Sequence, residues 1–309
     1  MKNSIPVVGL FRIGRFSDQK NTIFIFSLAL AAVFSQPVVG SADDFRTIRG
    51  GVTTNDNINR GWLAPEKLSD NSIDFNYTGG KRKQLSDTSS RSISYDVGAS
   101  AYQNYGGLSN LSIGGSYSFR RKRGLGPEAP WWSAGARGAY EYFNDSNRSN
   151  LFITGDLKTG KRFGDRLTIL GGYQLESRTA SNSVFSQMAH NVSLGADYIL
   201  SESIVIYGGY RYRSGEITVT VTGGGTTSQA ILNSGYLKRD SADLVFPPLG
   251  ANGWAYAIDG TSNIYTLGMN FGLDADSSLD LSYEKQSTST KASVNYDNNI
   301  FRLVYIRNL

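Results

Sequence analysis

Residues 192–212 read VSLGADYILSESIVIYGGYRY, and this stretch decides the fold. Apolar residues alternate with small or polar ones from Val192 to Leu200, and again from Ile204 to Tyr212. A period of two is typical of a β-strand whose two faces meet different surroundings. The Ser-Glu-Ser between the two runs leaves room only for a tight turn. The stretch therefore predicts two antiparallel strands joined as a hairpin.

The same alternation recurs along most of the chain, and it gives eleven good strands. They lie at 73–77, 93–101, 111–119, 132–142, 151–157, 167–175, 192–200, 204–212, 265–273, 279–283 and 301–309. The opposite face is made of Ser, Gly, Asn, Thr and scattered charge. In a soluble sandwich the apolar faces would pack on each other, whereas in a membrane barrel they contact lipid and the polar face lines the interior.

Two features favour the membrane barrel over a sandwich or a solenoid. Aromatic residues cluster at strand ends, where an interfacial girdle would place them. These residues are Tyr117, Phe119, Tyr140, Tyr142, Tyr210 and Tyr212. The connections are also unequal, with tight turns at 201–203 and 274–276 and a very long segment at 213–261. The predicted fold class is all-β: a transmembrane antiparallel up-and-down β-barrel.

The first forty-two residues have the order of a secretory signal peptide. Basic residues precede an apolar run from Ile23 to Phe34, and small residues at Gly40 and Ala42 offer a cleavage site. The run of about 12 residues is shorter than the roughly 20 needed to span a bilayer as a helix. We expect a signal peptide over 1–42 and the barrel over 43–309.

The end of the chain resembles the last strand of bacterial outer-membrane proteins. That family carries apolar and aromatic residues at alternate positions up to the terminus, which here read Phe301, Leu303, Tyr305, Arg307 and Leu309. The family usually ends in Phe, and Arg307 interrupts the apolar row. The resemblance implies an outer-membrane location, contact with outer-membrane lipid and lipopolysaccharide, and insertion by the barrel-assembly machinery.

An even strand number is expected for a bacterial barrel, so a twelfth strand is needed. The segment 44–56 would supply it, although its arginines and its Asn55-Asp56 make it a poor strand. We expect about 12 strands, with 10 or 14 as alternatives. With a periplasmic C-terminus, the 213–261 segment becomes an extracellular loop. Within it, 216–222 is predicted to continue as strand and return through 229–236 as a projecting hairpin, with Gly223-Gly224-Gly225 as its tip.

Charged residues fall into two groups of candidate functional sites. The alternation turns one group inward, as candidates for the lumen and its selectivity: Asp96, Arg137, Glu141, Asp197, Arg211, Asp280, Glu284 and Arg302. The second group is a basic rim at the periplasmic end: Lys81, Arg82, Lys83, Arg120, Arg121, Lys122 and Arg123. The rim is either a set of solvated turns or a surface for inner-leaflet phosphates or an acidic periplasmic partner.

The sequence offers little catalytic chemistry. It has no Cys and a single His, so thiolate metal sites and Cys nucleophiles are excluded, and no metal or cofactor is expected. His190 shares parity with Val192 and should point outward, away from Ser193. The formal net charge of +5 is modest, and the sequence has no stripe of basic residues such as a nucleic-acid binder carries. We therefore expect no enzyme activity and no nucleic-acid partner.

The leading functional expectation is a porin-like outer-membrane channel for passive or partner-gated passage of small solutes or saccharide chains. Small inward residues favour an open lumen: Ser112, Gly114, Ser116, Gly195, Gly209 and Gly268. The alternative is a binding, adhesion or structural barrel that acts through the 213–261 segment, as a plug or as a projecting surface. A barrel enzyme acting on lipid or saccharide is the third possibility.

Overall fold

The structure, a computed structural model, describes residues 44–309. The predicted signal peptide lies outside the described residues. Thirteen strands and one α-helix follow in chain order: β1 (Asp44–Asn55), β2 (Asp70–Ser86), β3 (Ser89–Tyr102), β4 (Asn110–Lys122), β5 (Trp131–Phe143), β6 (Asn150–Phe163), β7 (Leu167–Ala180), β8 (Gln187–Ser201), β9 (Ile204–Thr222), α1 (Thr226–Ser234), β10 (Leu237–Ala242), β11 (Gly253–Gly272), β12 (Ser277–Thr290) and β13 (Asn295–Asn308).

Twelve of these strands form a closed antiparallel ring, and β10 lies outside it. Each ring strand pairs with its neighbours in sequence, except that β9 pairs with β11 across the long segment. The ring closes where β1 pairs with β13, from Thr47 opposite Asn308 to Asn55 opposite Ile300. The expected barrel of 12 strands is confirmed, including the weak first strand.

The first strand tolerates its polar residues because alternate positions of a barrel strand face the lumen. Arg49 pairs with Asn76 on β2, and both residues line a cavity inside the ring. The neighbouring Val52 points the other way and is half exposed on the outer surface. A period of two can therefore hold an arginine within a membrane strand at little desolvation cost.

The outer surface of the ring is apolar over most of its height. Ile73, Ile113, Leu194 and Leu267 come from four strands, and each side chain is 60% or more exposed. A contiguous apolar surface of this kind needs a cover, and lipid acyl chains supply it for a barrel. No helix within residues 44–309 is long and apolar enough to cross a bilayer.

The two ends of the ring differ. The end at which β1 begins and β13 ends, here called the terminal end, has strand connections of two to eight residues. The opposite end, here called the lid end, carries the connections β1–β2, β3–β4, β5–β6, β7–β8, β9–β11 and β12–β13. Four of these contain short 3-10 turns at Ala64–Glu66, Gly106–Leu108, Ser146–Arg148 and Ser183–Phe185, and the β9–β11 connection contains a fifth at Pro247–Asn252.

The 213–261 segment folds as a compact lid, and it is called the lid below. Its two edges are the continuing ends of β9 and β11, which stay paired from Gly215–Gly260 to Thr222–Gly253. The predicted strand over 216–222 is confirmed, but its predicted return through 229–236 is wrong. That stretch lies largely in α1 (Thr226–Ser234), and the partner strand is instead 253–261.

The helix forms there for local reasons. Gln229, Ala230, Ile231 and Leu232 are a short run of residues that favour helix, and Ile231 is fully buried against the strands. Gly225 stands at the N-cap, so the glycine triplet leads into the helix and is not the tip of a hairpin. Gly235 ends the helix with a φ of 69°, a left-handed conformation that favours glycine.

Candidate functional site: the lumen and its lid

The pleat of each ring strand sends its small and polar side chains into the lumen. All eight sequence-predicted lumen residues occupy inward positions of this alternation: Asp96, Arg137, Glu141, Asp197, Arg211, Asp280, Glu284 and Arg302. Most of them lie in three polar networks. Asp197 has no ion pair within residues 44–309.

The first network is an ion pair that crosses a strand, here called the central ion pair. Arg137 on β5 donates from Nε and Nη2 to the two carboxylate oxygens of Asp96 on β3, at 3.1 and 2.6 Å. Strand β4 lies between them, and its residue at the crossing is Gly114. A Cβ there would stand 3.1 Å from both Arg137 Nη2 and Asp96 Oδ1 and 2.9 Å from the Cβ of Ala139. The glycine therefore makes room for a bidentate pair.

The second network joins β5, β6 and β7 nearer the lid end. Arg178 forms ion pairs with Glu141 and, at 3.4 Å, with Glu176. Its guanidinium lies over the ring of Phe152, with 4.2 Å from Cζ to the ring centroid. Arg178 is not among the lumen residues predicted from the sequence. The alternation along β7 could have identified it, because Arg178 is two residues after Glu176 and therefore points the same way, into the lumen.

The third network lies on the opposite wall, on β9, β12 and β13. Glu284 lies between two arginines, with 3.7 Å to Arg211 and 3.5 Å to Arg302. Lower on the same wall, the Tyr207 hydroxyl donates to Asp280 at 2.8 Å. The Tyr207 ring fills the space beside Gly268, where a Cβ would come within 2.2 Å of it. The lumen is therefore partly filled at positions that the sequence predicted to be open.

Two cavities remain inside the ring. A cavity of about 440 Å³ lies in the half of the ring nearer the lid end, bounded by Arg49, Asp74, Asn76 and Glu141 among others. A second of about 430 Å³ lies directly under the lid and is called the sub-lid chamber. The two share Tyr102, Phe143 and Arg178 in their walls, so they adjoin.

The lid forms the roof of the sub-lid chamber. Ile217, Thr218, Thr220 and Phe246 of the lid line it from above. The lid is itself well packed, because Ile217, Val219 and Val221 are at most 1% exposed and pack with Tyr256, Ile258 and residues of the β12–β13 connection. This apolar cluster keeps the roof in one piece.

The lid touches all five of the other connections at its end of the ring. It reaches β1–β2 at Asn59, β3–β4 at Tyr105, β5–β6 at Arg148, β7–β8 at Asn182 and β12–β13 at Val294. A segment that contacts every rim connection lies across the mouth. The structure thus shows neither a projecting hairpin nor a plug deep in the lumen.

Arg148 is the main polar anchor of the lid. Its guanidinium forms an ion pair with Asp243 of the lid and a second, at 3.3 Å, with Asp145. It also lies over the ring of Phe185, 4.1 Å from Cζ to the centroid. The Asp243 side chain is fully buried and accepts from the Thr220 hydroxyl at 2.9 Å. Burial lowers the pKa of Arg148, while Asp243 and Asp145 raise it.

A second set of ion pairs lies within the lid. Lys238 on β10 contacts Asp259 at 2.9 Å and Glu216 at 3.4 Å, and Arg239 contacts Glu216 at 2.9 Å. The hydrogen bond from Lys238 is the largest influence on the pKa of Asp259, which lies below its ordinary value of 3.8. These pairs join the extra strand β10 to β11 at Asp259 and to β9 at Glu216.

The predicted basic rim lies at the terminal end of the ring. Six of its residues lie in the last parts of β2 and β4, and Arg123 lies in the β4–β5 connection. Six of its seven residues are exposed, and Lys122 is half buried. Lys81 contacts Asp44 at 3.5 Å, and Arg120 lies over the Trp131 ring at 4.1 Å. The clusters therefore share one end, as the strand parity required.

His190 lies on the outer surface and takes no part in the lumen. Its Nδ1 forms a hydrogen bond of 2.7 Å with the Tyr173 hydroxyl, and its side chain is exposed. The outward direction follows from its parity with Val192. Within residues 44–309, no group of His, Cys, Asp and Glu side chains is arranged to hold a metal ion.

Comparison with known proteins gives similarity of fold alone. No protein-family model matches the sequence, and no curated protein sequence matches it. Among solved structures, the COG4313 outer membrane channel from Pseudomonas putida F1 aligns with a TM-score of 0.56 at 10% identity, covering 89% of this chain and 99% of that one. The KdgM porin in complex with disordered oligogalacturonate aligns at 0.42 with 10% identity over 84% and 98%. The Pseudomonas putida toluene transporter TodX aligns at 0.40 with 10% identity over 90% and 93%. The closed 12-strand ring and its apolar outer surface make this chain an outer-membrane β-barrel.

Proposed function

We propose that this barrel is an outer-membrane channel whose outer mouth is gated by the lid. The observation that carries the proposal is a polar, charged lumen with two adjoining cavities under a roof that is anchored by ion pairs. The lid end would face the outside of the cell, and the terminal end the periplasm. Small polar solutes or saccharide chains would pass when the lid is released.

The lining of the lumen suits passage better than a purely structural interior. A structural barrel needs its interior filled, and here cavities of about 440 and 430 Å³ stay between the networks. The central ion pair joins one positive and one negative group, and the Glu284 network places one carboxylate between two arginines. Charged groups of both signs along the wall can interact with polar solutes.

Two attachments of the lid to the rim are polar and local, and these suit gating. Arg148–Asp243 and Asn182–Ser241 join it to two neighbouring connections, and neither pair belongs to the ring itself. The apolar cluster that packs the lid on the β12–β13 connection does not include either pair, so it remains if those contacts break. The lid can thus swing as a unit, as hinged segments of channels and enzymes do.

A disulfide lock tests the gate, since the native sequence has no cysteine to interfere. Asn182 Nδ2 and Ser241 Oγ are 3.0 Å apart, one on the rim and one on the lid. The double variant N182C/S241C would tie the lid shut when oxidised. The matched control is S94C/S116C. The native Ser94 and Ser116 hydroxyls are 2.6 Å apart on neighbouring ring strands, so a disulfide there does not restrain the lid.

Single-channel conductance in a planar bilayer is the measurement. We expect wild type to show open events, the oxidised lock to lose them, and dithiothreitol to restore them. The oxidised control should behave like wild type. A silent wild type that stays silent after deletion of 223–250 would overturn the channel proposal. Equal conductance of the oxidised and reduced lock would overturn the gate alone.

The basic rim carries a separate proposal about partners. Seven cationic side chains at the terminal end would face the phosphates of the inner leaflet or an acidic periplasmic protein. The adhesion alternative gains no support from a lid that packs across the mouth. We keep the prediction that the barrel is not an enzyme, because its one histidine is on the outer surface.

A further inference from the structure

The sub-lid chamber differs in charge from the rest of the lumen. Its walls hold five arginines and one carboxylate: Arg60, Arg148, Arg178, Arg211, Arg213 and Glu176. They come from the β1–β2 and β5–β6 connections and from strands β7 and β9, so the chain brings the arginines together from four places. The cavity volume of about 430 Å³ falls within the roughly 300–1,000 Å³ typical of small-molecule sites.

Two of the five arginines have no carboxylate partner within residues 44–309. Arg148, Arg178 and Arg211 form the ion pairs described above. Arg60 donates instead to the carbonyl oxygen of Thr218 at 3.0 Å, and Arg213 donates to the side chain of Gln187 and the carbonyl of Glu216. Arg60 has a φ of 60°, in the left-handed region that non-glycine residues rarely adopt. Because their partners in the protein are neutral, the Arg60 and Arg213 guanidinium groups favour binding of a negatively charged oxygen group inside the chamber.

Buried polar atoms without partners point to the rest of the ligand. The chamber is also lined by Asn150, Asn191, Tyr296 and Asn298, each at most 5% exposed. Asn150 Oδ1, Asn191 Nδ2, the Tyr296 hydroxyl and Asn298 Oδ1 make no hydrogen bond with the described part of the chain. For Asn150 the amide orientation is fixed, because its Nδ2 donates to Glu141 and to the carbonyl of Arg148. Its Oδ1 therefore calls for a donor.

We propose that the sub-lid chamber binds a hydroxylated carboxylate, the chemical class of the sugar acids. The carboxylate would contact Arg60 and Arg213, and the hydroxyl groups would both donate to and accept from the asparagines and Tyr296. This inference rests on the proposed channel function and names the solute class that the channel selects. Thr218 belongs to the lid and lines the chamber, and its carbonyl oxygen accepts from Arg60. The lid therefore closes over the ligand that Arg60 binds.

Other simple solutes match fewer of these groups. Sulfate and phosphate offer acceptors to the arginines but few donors to the Asn150 oxygen. A neutral sugar offers hydroxyls but leaves both guanidinium groups without an anion. Acetate satisfies the arginines and leaves the amides unpartnered. A hydroxylated carboxylate is the smallest class that satisfies both sets.

Isothermal titration calorimetry on the detergent-solubilised barrel tests the assignment. The probes are glucuronate, glucose, acetate and inorganic sulfate, at equal ionic strength. We expect glucuronate to bind at least tenfold more tightly than the other three. The variants R60Q and R213Q should each weaken glucuronate binding about tenfold or more. R166Q, in an exposed turn at the terminal end, is the matched control and should leave it unchanged.

The outcomes separate this inference from the channel proposal. Binding is measured without conductance, so a silent bilayer with tight glucuronate binding overturns the channel and leaves the site. Open channels without a preference for glucuronate over glucose, acetate and sulfate overturn the site and leave the channel. An unchanged affinity of R60Q for glucuronate overturns the site as well. Arg60 lies in a connection, so this variant tests the assignment without altering a ring strand. A heat-dependent gel shift confirms that each variant is folded.

Discussion

Replacing Arg148 by methionine should release the lid. The change removes the charge and keeps an apolar side chain over Phe185. Asp243 then loses its ion pair while its side chain stays fully buried, with the Thr220 hydroxyl and the Val245 amide as its only remaining donors within residues 44–309. A buried carboxylate without its cation is strongly unfavourable.

The size of the effect follows from the burial of the pair. The Arg148 side chain is 15% exposed and that of Asp243 is 0% exposed, so solvent screens the pair little. Removing one partner of such a pair costs about 3–5 kcal/mol. At about 1.4 kcal/mol per factor of ten, the open population of the lid should rise on the order of a hundredfold to several thousandfold.

Limited trypsin digestion of the folded barrel measures that population. Arg60 lies in the β1–β2 connection and donates to the Thr218 carbonyl of the lid, so we expect trypsin to reach it when the lid moves away. Cleavage at this site tracks the open fraction when opening is fast relative to cleavage. Mass spectrometry of the fragments identifies the site, and R166M serves as the control for loss of an exposed arginine.

The double variant R148M/D243N decides whether the ion pair is the cause. It removes both charges, so we expect cleavage slower than in R148M and closer to wild type. A double variant cleaved as fast as R148M would show that the two residues are not coupled. Unchanged cleavage in R148M would refute the anchoring role outright.

Three further predictions concern the wall, the lid and the rim. G114A places a methyl group against the central ion pair and should destabilise the barrel by about 1–3 kcal/mol. The loss should appear as a lower temperature at which the barrel changes its mobility on a gel. G138A is the control, because a Cβ at Gly138 has open space around it, and it should leave that temperature unchanged. Asp259 also pairs with Lys291 of the β12–β13 connection at 3.0 Å, and hydrogen bonds from Lys238 and Lys291 lower the pKa of Asp259 below 3.8. This link between the lid and the rim is present above pH 3.8 and is lost as the pH falls below that value, so open events should increase at pH 3 and be constant between pH 5 and 8. Reversing the charge of the basic cluster at 120–123 should weaken binding of the barrel to vesicles of anionic phospholipid at low salt, and an unchanged affinity would count against the rim as a phosphate surface.

The ring was predictable because the alternation repeats in every strand. Nine of the eleven segments chosen from the sequence lie within a strand of the structure, and 265–273 and 301–309 each extend one residue past the end of theirs. The even-number rule supplied the twelfth strand at Asp44–Asn55. Inward residues follow from parity alone, which is why Arg137 and Asp96 could be chosen together. Their contact across β4 depends on Gly114, whose role is visible only once the strands are in register.

The lid and the sub-lid chamber could not be predicted in the same way. Thr218 and Thr220 alternate with Ile217, Val219 and Val221 as in any strand, but here one face packs on a helix and the other roofs a cavity. Arg60 belongs to an irregular connection with no period. Its position over the lumen depends on contacts with residues about 160 places later in the chain.

Those same contacts protect an exposed strand. Beyond Gly215 the outer edge of β9 has no ring neighbour, because β8 pairs with β9 only as far as Gly215. Asn59 occupies that edge at Thr220, exchanging hydrogen bonds through its backbone oxygen and its side-chain amide. An uncovered strand edge invites pairing with another molecule. The first connection of the barrel therefore shields this part of the β9 edge from pairing with another molecule.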